Sequence, residues 1–410
     1  MPKPNETAVV VLTRLFPNIV QTYVLNHITA LIDAGINTSI IADSNPEQAE
    51  TNPAIEEYGL LDKTTYITDS VSAISRLFTD CKYFFLISKI ATSKIWLDYG
   101  IKYTFLSFAR VLAIPHKSCN LIHSHSLFSS FKFLFARKYL SIPLITTYHG
   151  MVPRGVNKLS TEKMKSVIAA TDIFIVNTEF AKSELVGLGC VDNKIRIIPQ
   201  GTDSSKFRYS VRKIQPGKPI KLLTIARLSP EKGHVTAIHA IKHLIDEFPD
   251  IEYHIVGHGP EKENLYKLTE HLQLQNHVIL HDFMTGDALL NMFSEAHIFI
   301  LPSINFQDGF LVETQGVVLQ EAQASGTPVI GSNAGGIPDV IIDNKTGLVF
   351  EQKNHEQLAE KIRLLIKDKL LYEELCRAGR NDVEQHFDTT VVYRRLITIY
   401  QEILGSRPLH

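Results

Sequence analysis

The sequence predicts an α/β protein built from two doubly wound, parallel-sheet domains. Three observations carry this. The chain has 410 residues, comfortable for two domains of about 200 each. Continuous apolar, β-branched runs such as Ala8-Val9-Val10-Val11-Leu12 suit strands buried on both faces. The order strand, loop, helix, strand then recurs through both halves, as parallel sheets require. With 44% hydrophobic residues, sizeable cores are within reach; a formal net charge of −1 gives no global sign of nucleic-acid binding. Cys81, Cys119, Cys190 and Cys376 are far apart and lack metal spacing, so they read as reduced cysteines of a cytoplasmic protein. The N-terminal apolar run fits a strand rather than a signal peptide, and no stretch is long enough to cross a bilayer.

The first half opens with the strand Ala8–Leu12 and a loop, Thr13 to Asn18. A helical pattern from about Val20 to Ala34 stops at Gly35, and Thr38–Ala42 is the next strand. Ligands of doubly wound sheets sit at the carboxyl ends of strands, which makes the loop at Phe16-Pro17-Asn18 a site candidate. Residues 76–117 mix aromatics with lysines and arginines and contain few acids. They read as two helices split near Gly100. Either their aromatics are core and their lysines a solvated face, or the stretch is a basic, aromatic surface resting on an anionic membrane.

Leu121 to Ser126 closes a strand with His123 and His125, whose i, i+2 spacing puts both on one strand face. No nearby Asp, Glu or Cys completes a metal set, so a hydrogen-bonded strand-end pair is expected rather than a metal. Leu144 to Tyr148 is another strand, ending in His149-Gly150. Asp172–Thr178 and Lys194–Pro199 supply two more. The polar, proline-containing stretch up to Pro219 is the best candidate linker.

The second half opens with the strand Ile220–Ala226. Arg227 and Lys232 follow, five residues apart on a tight loop, so a guanidinium fork and an ammonium can meet one pyrophosphate. Ile255 to Pro260 is a strand entering a turn that contains Gly257. Val278 to Leu280 leads into His281-Asp282-Phe283-Met284. After the strand Ile298–Leu301 comes the stretch LPSINFQDGFLVETQGVVLQEAQASGTPVIGSNAGGIPD, residues 301–339. A helix from Gly316 to Ala324 is expected there, ended by Gly326 and followed by the strand Pro328-Val329-Ile330. Its start presents free amides that suit a phosphate. Glu313 lies before the helix and Glu321 within it, so the two acids can face different depths of one ligand. Asn354–Lys367, Leu370–His386 and Thr389–Leu404 read as closing helices. No acidic pair of the metal-binding DxD kind stands at a strand end; Asp308 is alone.

The pattern E-x7-E, followed by A-x-A-x-G-x-P-V-I and G-G-I-P-D, resembles the donor-site signature of family 4 retaining glycosyltransferases, which have the GT-B fold. R-x4-K-G at Arg227 to Gly233 and T-x-H-G at Thr147 to Gly150 are similar to further motifs of that family. The glycine comes three residues after the first acid here, at Gly316, as in some lipopolysaccharide-core members. Tyr23 and Thr22 stand where polysaccharide-synthesis members carry FPxxSETFI, although Val20-Gln21 replaces the Ser-Glu.

The resemblance implies two Rossmann-like domains facing a central cleft: residues 1–205 for the acceptor, 206–388 for the donor, and a helix from 389 to 410 crossing back. It implies a retaining, metal-independent transfer of a hexose from a UDP- or GDP-linked sugar, with no cofactor. The acceptor would be a glycan or lipid-linked hydroxyl in surface polysaccharide or lipopolysaccharide synthesis. Arg227 and Lys232 would hold the diphosphate, helped by the amides of Gly316 and Val317. Glu321 would bind the ribose, Glu313 the sugar hydroxyls, and His149 the sugar or its phosphate. Gly257 and Phe283 would lie near the nucleotide. The enzyme would work in the cytoplasm, peripheral to the membrane through 76–117. A sugar-nucleotide epimerase, a phosphorylase-like enzyme and a non-catalytic nucleotide-sugar-binding subunit share the fold, but retention of both acids and both cations favours the transferase.

Overall fold

The computed structural model describes residues 7–17, 22–45, 52–67, 110–111, 113–115, 119–150, 161–306 and 311–405. The 76–117 stretch read as a membrane face falls almost wholly outside the described residues, as do Val20, Gln21 and Asp308. Among the described residues, no helix is long and apolar enough to cross a membrane.

Two compact units result. The first comprises Met1–Val176, Ser183–Ile198 and Tyr393–His410; the second comprises Asn177–Lys182 and Pro199–Val392. The first carries a parallel sheet of β1 (Ala8–Leu15), β2 (Asn37–Ser44), β3 (Thr64–Tyr66), β4 (Leu121–Ser124), β5 (Leu144–Tyr148), β6 (Ile173–Val176) and β7 (Ile195–Ile197). Its described strands run in the order β3-β2-β1-β4-β5-β6-β7. The order reverses between β1 and β4, where Val11 pairs with His123 and Leu12 with Ser124. That reversal opens a crevice at the carboxyl ends of the strands. β4 stops at Ser124, and the His125 N–H that follows still donates to the Leu12 carbonyl at 3.0 Å, which fixes the residue after the strand.

The second unit repeats the plan with β8 (Ile220–Ile225), β9 (Ile251–Val256), β10 (Val278–His281), β11 (Ile298–Leu301), β12 (Val329–Ser332) and β13 (Leu348–Phe350). Their order is β10-β9-β8-β11-β12-β13, reversing between β8 and β11. Side chains along β8 and β11 alternate between two cores, so β11 is apolar throughout and β8 is interrupted only at Lys221 and Thr224. Leu222, Ile298 and Ile300 face one core with Ile238, Leu358 and Leu375 of the covering helices. Leu223, Phe299 and Leu301 face the other, with Phe293, Leu319 and Ala322. Neither face of β11 meets water, so its sequence does not alternate with polar residues.

The elements expected within the described residues are present with small shifts at their ends. The helix expected from Gly316 begins at Val317, because Gly316 is its left-handed N-cap with φ +78°. The helix expected over Leu370–His386 is α-helical over Lys369–Asp382 and continues as a wider π turn, Val383–Phe387. The last helix runs Thr389–Gly405.

One polar contact crosses the second core. Thr224 Oγ1 donates to the Ile300 carbonyl at 2.6 Å, which leaves it to accept from the Tyr253 hydroxyl at 2.8 Å. Tyr253→Phe removes one donor and should cost about 0.5–1.5 kcal/mol. Thr224→Val strands the buried hydroxyl as well and should cost about 1–3 kcal/mol. Urea unfolding of both variants measures the two costs, and a Thr224→Val loss no larger than that of Tyr253→Phe would contradict the donor order.

Candidate active site

Arg227 leaves the end of β8 at the strand-order reversal of the second unit, and Lys232 follows in a short 3-10 turn, Pro230–Lys232. Gly233 closes that turn at φ +68°; a Cβ there would stand 1.9 Å from the Pro302 carbonyl oxygen. Glycine therefore lets the loop after β8 press against the loop after β11. The two cations have different partners. Lys232 Nζ lies 2.5 Å from Glu313 Oε2, with the side chains 20% and 16% exposed. Arg227 is more exposed and pairs with Glu231, whose carboxylate is buried and also accepts from Ser229 Oγ at 2.7 Å. Burial opposes the Glu231 charge, but Ser229 and Arg227 outweigh it and hold the carboxyl below its ordinary value. Glu231 thus holds the terminal Nη2 of the guanidinium, and Ser229 Oγ accepts from the stem-side Nε at 3.2 Å.

Glu313 sits on a loop that two glycines support. A Cβ on Gly335 would meet the Glu313 carbonyl oxygen at 2.1 Å, and one on Gly336 would meet that of Thr314 at the same distance. Gly336 N–H donates to the Glu313 carbonyl at 2.9 Å, and Thr178 Oγ1 donates to the Thr314 carbonyl at 2.9 Å. The side chain is enclosed. Burial works against its charge, but Lys232 and the amides of Gln315 and Gly316 more than offset this and keep the carboxyl below its ordinary value. The Gly316 amide, expected at a phosphate, therefore faces Glu313. Val317 begins the helix beside it.

Glu321 lies one turn further into that helix, within the unit yet partly accessible. Nothing offsets its desolvation, which pushes it up to about 7. Two acids of one signature are thus placed oppositely: Glu313 a paired carboxylate, Glu321 a group poised near neutrality. Gly257 follows β9, where a Cβ would stand 2.0 Å from the Ala226 carbonyl oxygen. Phe283 is exposed and meets the His258 ring edge-on, centroids 5.6 Å apart. All these residues belong to the second unit.

His149 belongs to the first, immediately after β5. His125 Nδ1 approaches its Nε2 at 3.4 Å, and the two rings stack at 10°. Tyr23 packs on the His149 ring, centroids 4.4 Å apart. His27 and Tyr400, which sequence reading passed over, join the pair His123 and His125. His27 sits inside an ordinary amphipathic helix and Tyr400 lies 277 residues beyond His123, so no local pattern links them. Glu231 stands between Arg227 and Lys232, and its role shows only through its burial.

Comparison with known proteins gives this arrangement a class. Residues 206–382 match the family described as glycosyl transferases group 1, and residues 20–206 match Glycosyltransferase Family 4. Over 399 residues the chain is 28% identical to WcaL of Salmonella typhimurium, named as a colanic acid biosynthesis glycosyltransferase, covering 95% of this chain and 98% of that one. It is 27% identical over 402 residues to AmsK of Erwinia amylovora, named as an amylovoran biosynthesis glycosyltransferase, with 95% and 98% covered. The crystal structure of Anabaena HepE in complex with UDP aligns with a TM-score of 0.75 at 15% identity, over 97% of this chain and 100% of that one. The protein is a glycosyltransferase with the two Rossmann-like domains of the GT-B fold. It belongs to family 4 of these enzymes, the two family models together spanning residues 20–382.

The raised Glu321 gives a stability test. A group whose folded value lies above its ordinary 4.5 contributes stability that is fully present below 4.5 and lost as pH rises through about 7. Glu321→Gln should therefore stabilise the protein at pH 8 by about 1–3 kcal/mol and change little at pH 4.5. Urea unfolding at both pH values checks this, and equal effects at the two would contradict it.

Proposed function

We propose that this glycosyltransferase moves a hexose from a nucleotide-diphosphate sugar to a hydroxyl of a glycan or lipid-linked acceptor, with retention and without a metal, during assembly of a surface polysaccharide. The observation that carries the reading is the enclosed Lys232–Glu313 pair beside the exposed Arg227. A diphosphate leaving group gains negative charge as the glycosidic bond breaks, and two fixed cations stabilise that charge without reorganising. Arg227 offers its fork to the phosphate oxygens and Lys232 a point charge. Both replace the electrostatic part that a divalent ion plays elsewhere.

Glu313 has two roles that fit together. It holds Lys232 in place, and its carboxylate accepts hydrogen bonds from the donor sugar hydroxyls. Glu321 accepts from the ribose, and the helix start at Gly316 and Val317 favours the phosphate nearest it. Phe283 and Gly257 serve the nucleotide, and His149 meets the sugar or its phosphate. During transfer the anomeric carbon–phosphate oxygen bond breaks and the carbon–acceptor oxygen bond forms on the same face. The acceptor's proton passes to the departing phosphate oxygen, so no protein nucleophile is required.

The relatives' names, colanic acid and amylovoran biosynthesis, support a polysaccharide as the product. HepE, of the same fold, is bound to UDP, which supports UDP among the candidate bases. A cytoplasmic enzyme working at the inner membrane face, with residues 76–117 as the contact, fits an acceptor carried on lipid.

Melting the protein in EDTA with UDP, GDP, ADP or CMP tests the donor site. A ligand at 100 times its dissociation constant adds about 2.7 kcal/mol to stability. One diphosphate should raise Tm, and Arg227→Ala with Lys232→Ala should abolish the shift. A shift that persists in the double variant, or none with any nucleotide, would overturn the reading.

A further inference from the structure

Six side chains of the first unit form a single hydrogen-bonded file. Thr147 Oγ1 lies 2.7 Å from His123 Nε2. His123 Nδ1 meets the Tyr400 hydroxyl, which in turn lies 2.8 Å from His27 Nε2. His27 Nδ1 is 2.8 Å from His125 Nε2, and His125 Nδ1 is 3.4 Å from His149 Nε2. His27, His123, Thr147 and Tyr400 are at most 5% exposed, so water does not compete for the three bonds among them; His125 and His149 are half-buried. The file draws on the helix Thr22–Asp33, β4 with the residue after it, β5 with the residue after it, and the last helix, Thr389–Gly405.

Counting protons shows what this geometry imposes. Burial lowers His27 to about 3 and His149 to about 4, and keeps His123 and His125 well below their ordinary range. Each of the six groups therefore carries one transferable proton at neutral pH. The file has five links, and each link takes one proton. Two donors facing each other clash, and two acceptors leave a buried link empty at about 1–3 kcal/mol. Three orderings satisfy every link: one running each way along the file, and one in which the Tyr400 oxygen accepts from both sides. If all donors point from Thr147 toward His149, all four histidines are Nδ1–H. If all point the other way, all four are Nε2–H. If Tyr400 accepts from both sides, His123 is Nδ1–H while His27, His125 and His149 are Nε2–H, so those three share one tautomer in every ordering.

We propose that Tyr400 and His27 are positioning residues that fix the tautomer of His149 through this file. The assignment rests on the reading that His149 meets the donor sugar or its phosphate. Its consequence is that the C-terminal helix takes part in the site without touching substrate: the Tyr400 hydroxyl is the joint where a reversal of proton order would have to pass. A metal is the competing use of the same cluster, since His27, His123 and His125 offer nitrogens within 4.8 Å of one another. The spacing favours the file. His27 Nδ1 and His125 Nε2 stand 2.8 Å apart, closer than the roughly 3.3 Å between nitrogens of tetrahedral zinc. The facing nitrogens also pair off with hydroxyls and with each other rather than converging on one point.

Long-range ¹H–¹⁵N correlation spectra of histidine-labelled full-length protein read each tautomer directly. His27, His125 and His149 should all report the same one, and a mixture of Nδ1–H and Nε2–H among these three would overturn the proposal. Tyr400→Phe cuts the file into two parts, so His149 should move toward the average of the two tautomers. With a competent donor, kcat/KM should fall by about 10–100-fold, as when a partner orienting a site histidine is lost, while nucleoside diphosphate affinity stays unchanged. An unaltered His149 signal in a folded Tyr400→Phe variant would overturn the proposal. One equivalent of Zn²⁺ should leave the wild-type spectrum in place; metal-shifted signals from His27, His123 and His125 would replace the file with a metal centre. These spectra need no substrate, so a shared tautomer upholds the file even where no sugar nucleotide is accepted, and that failure falls on the donor reading alone.

Discussion

A carboxylate held in an enclosed place beside an ammonium is the constraint on which the second unit depends. Glu313 and Lys232 come from loops 81 residues apart in sequence, and their 2.5 Å contact requires both loops to be fixed to a fraction of an ångström. Burying either charge alone costs several kcal/mol, so each needs the other. The backbone supplies the precision. Gly233 brings the Lys232 turn onto the loop after β11, and Gly335 and Gly336 form the bed beneath Glu313 and Thr314. The glycines of the two signatures are needed because carbonyl oxygens occupy the space a side chain would fill.

The same economy distinguishes the two acids. Glu313 receives a cation and two amides and keeps its charge; Glu321 receives none and sits near neutrality. A ligand bringing hydroxyl donors to Glu321 would supply the stabilisation the protein withholds, which couples its ionisation to binding. The first unit handles buried polarity differently. Its histidines are neutral, and their partners are one another, Thr147 and Tyr400. The second unit thus encloses a paired charge at Glu313, while the histidine cluster of the first is neutral.

Much of this was legible in the sequence, and the reasons it was legible are physical. Runs such as Ala8–Leu12 announce strands buried on both faces, and the recurrence of strand, loop and helix gives two parallel sheets. Arg227, Lys232, Glu313 and Glu321 stand at spacings that a backbone turn or a helix makes meaningful, so their gathering in one unit could be anticipated. What local pattern could not reveal was pairing across distance. Lys232 was expected at a diphosphate, and its contact with Glu313 depends on two strand ends meeting at the reversal between β8 and β11. Glu231 reads as one more loop acid until its burial is known. His123 and His125 were read as a hydrogen-bonded pair, but His27 and Tyr400 join them only because two helices close over the carboxyl end of β4.

Under the proposed reading, one small region of the second unit separates recognition of diphosphate from recognition of sugar. Calorimetric titration of Glu313→Gln with a nucleoside diphosphate and with the matching sugar nucleotide tests this most directly. The account predicts that the wild type binds the sugar nucleotide more tightly than the free diphosphate and that Glu313→Gln loses this preference while still binding the diphosphate. An undiminished preference for the sugar nucleotide in Glu313→Gln would show that the carboxylate does not hold the sugar, and the assignment of the site would fall.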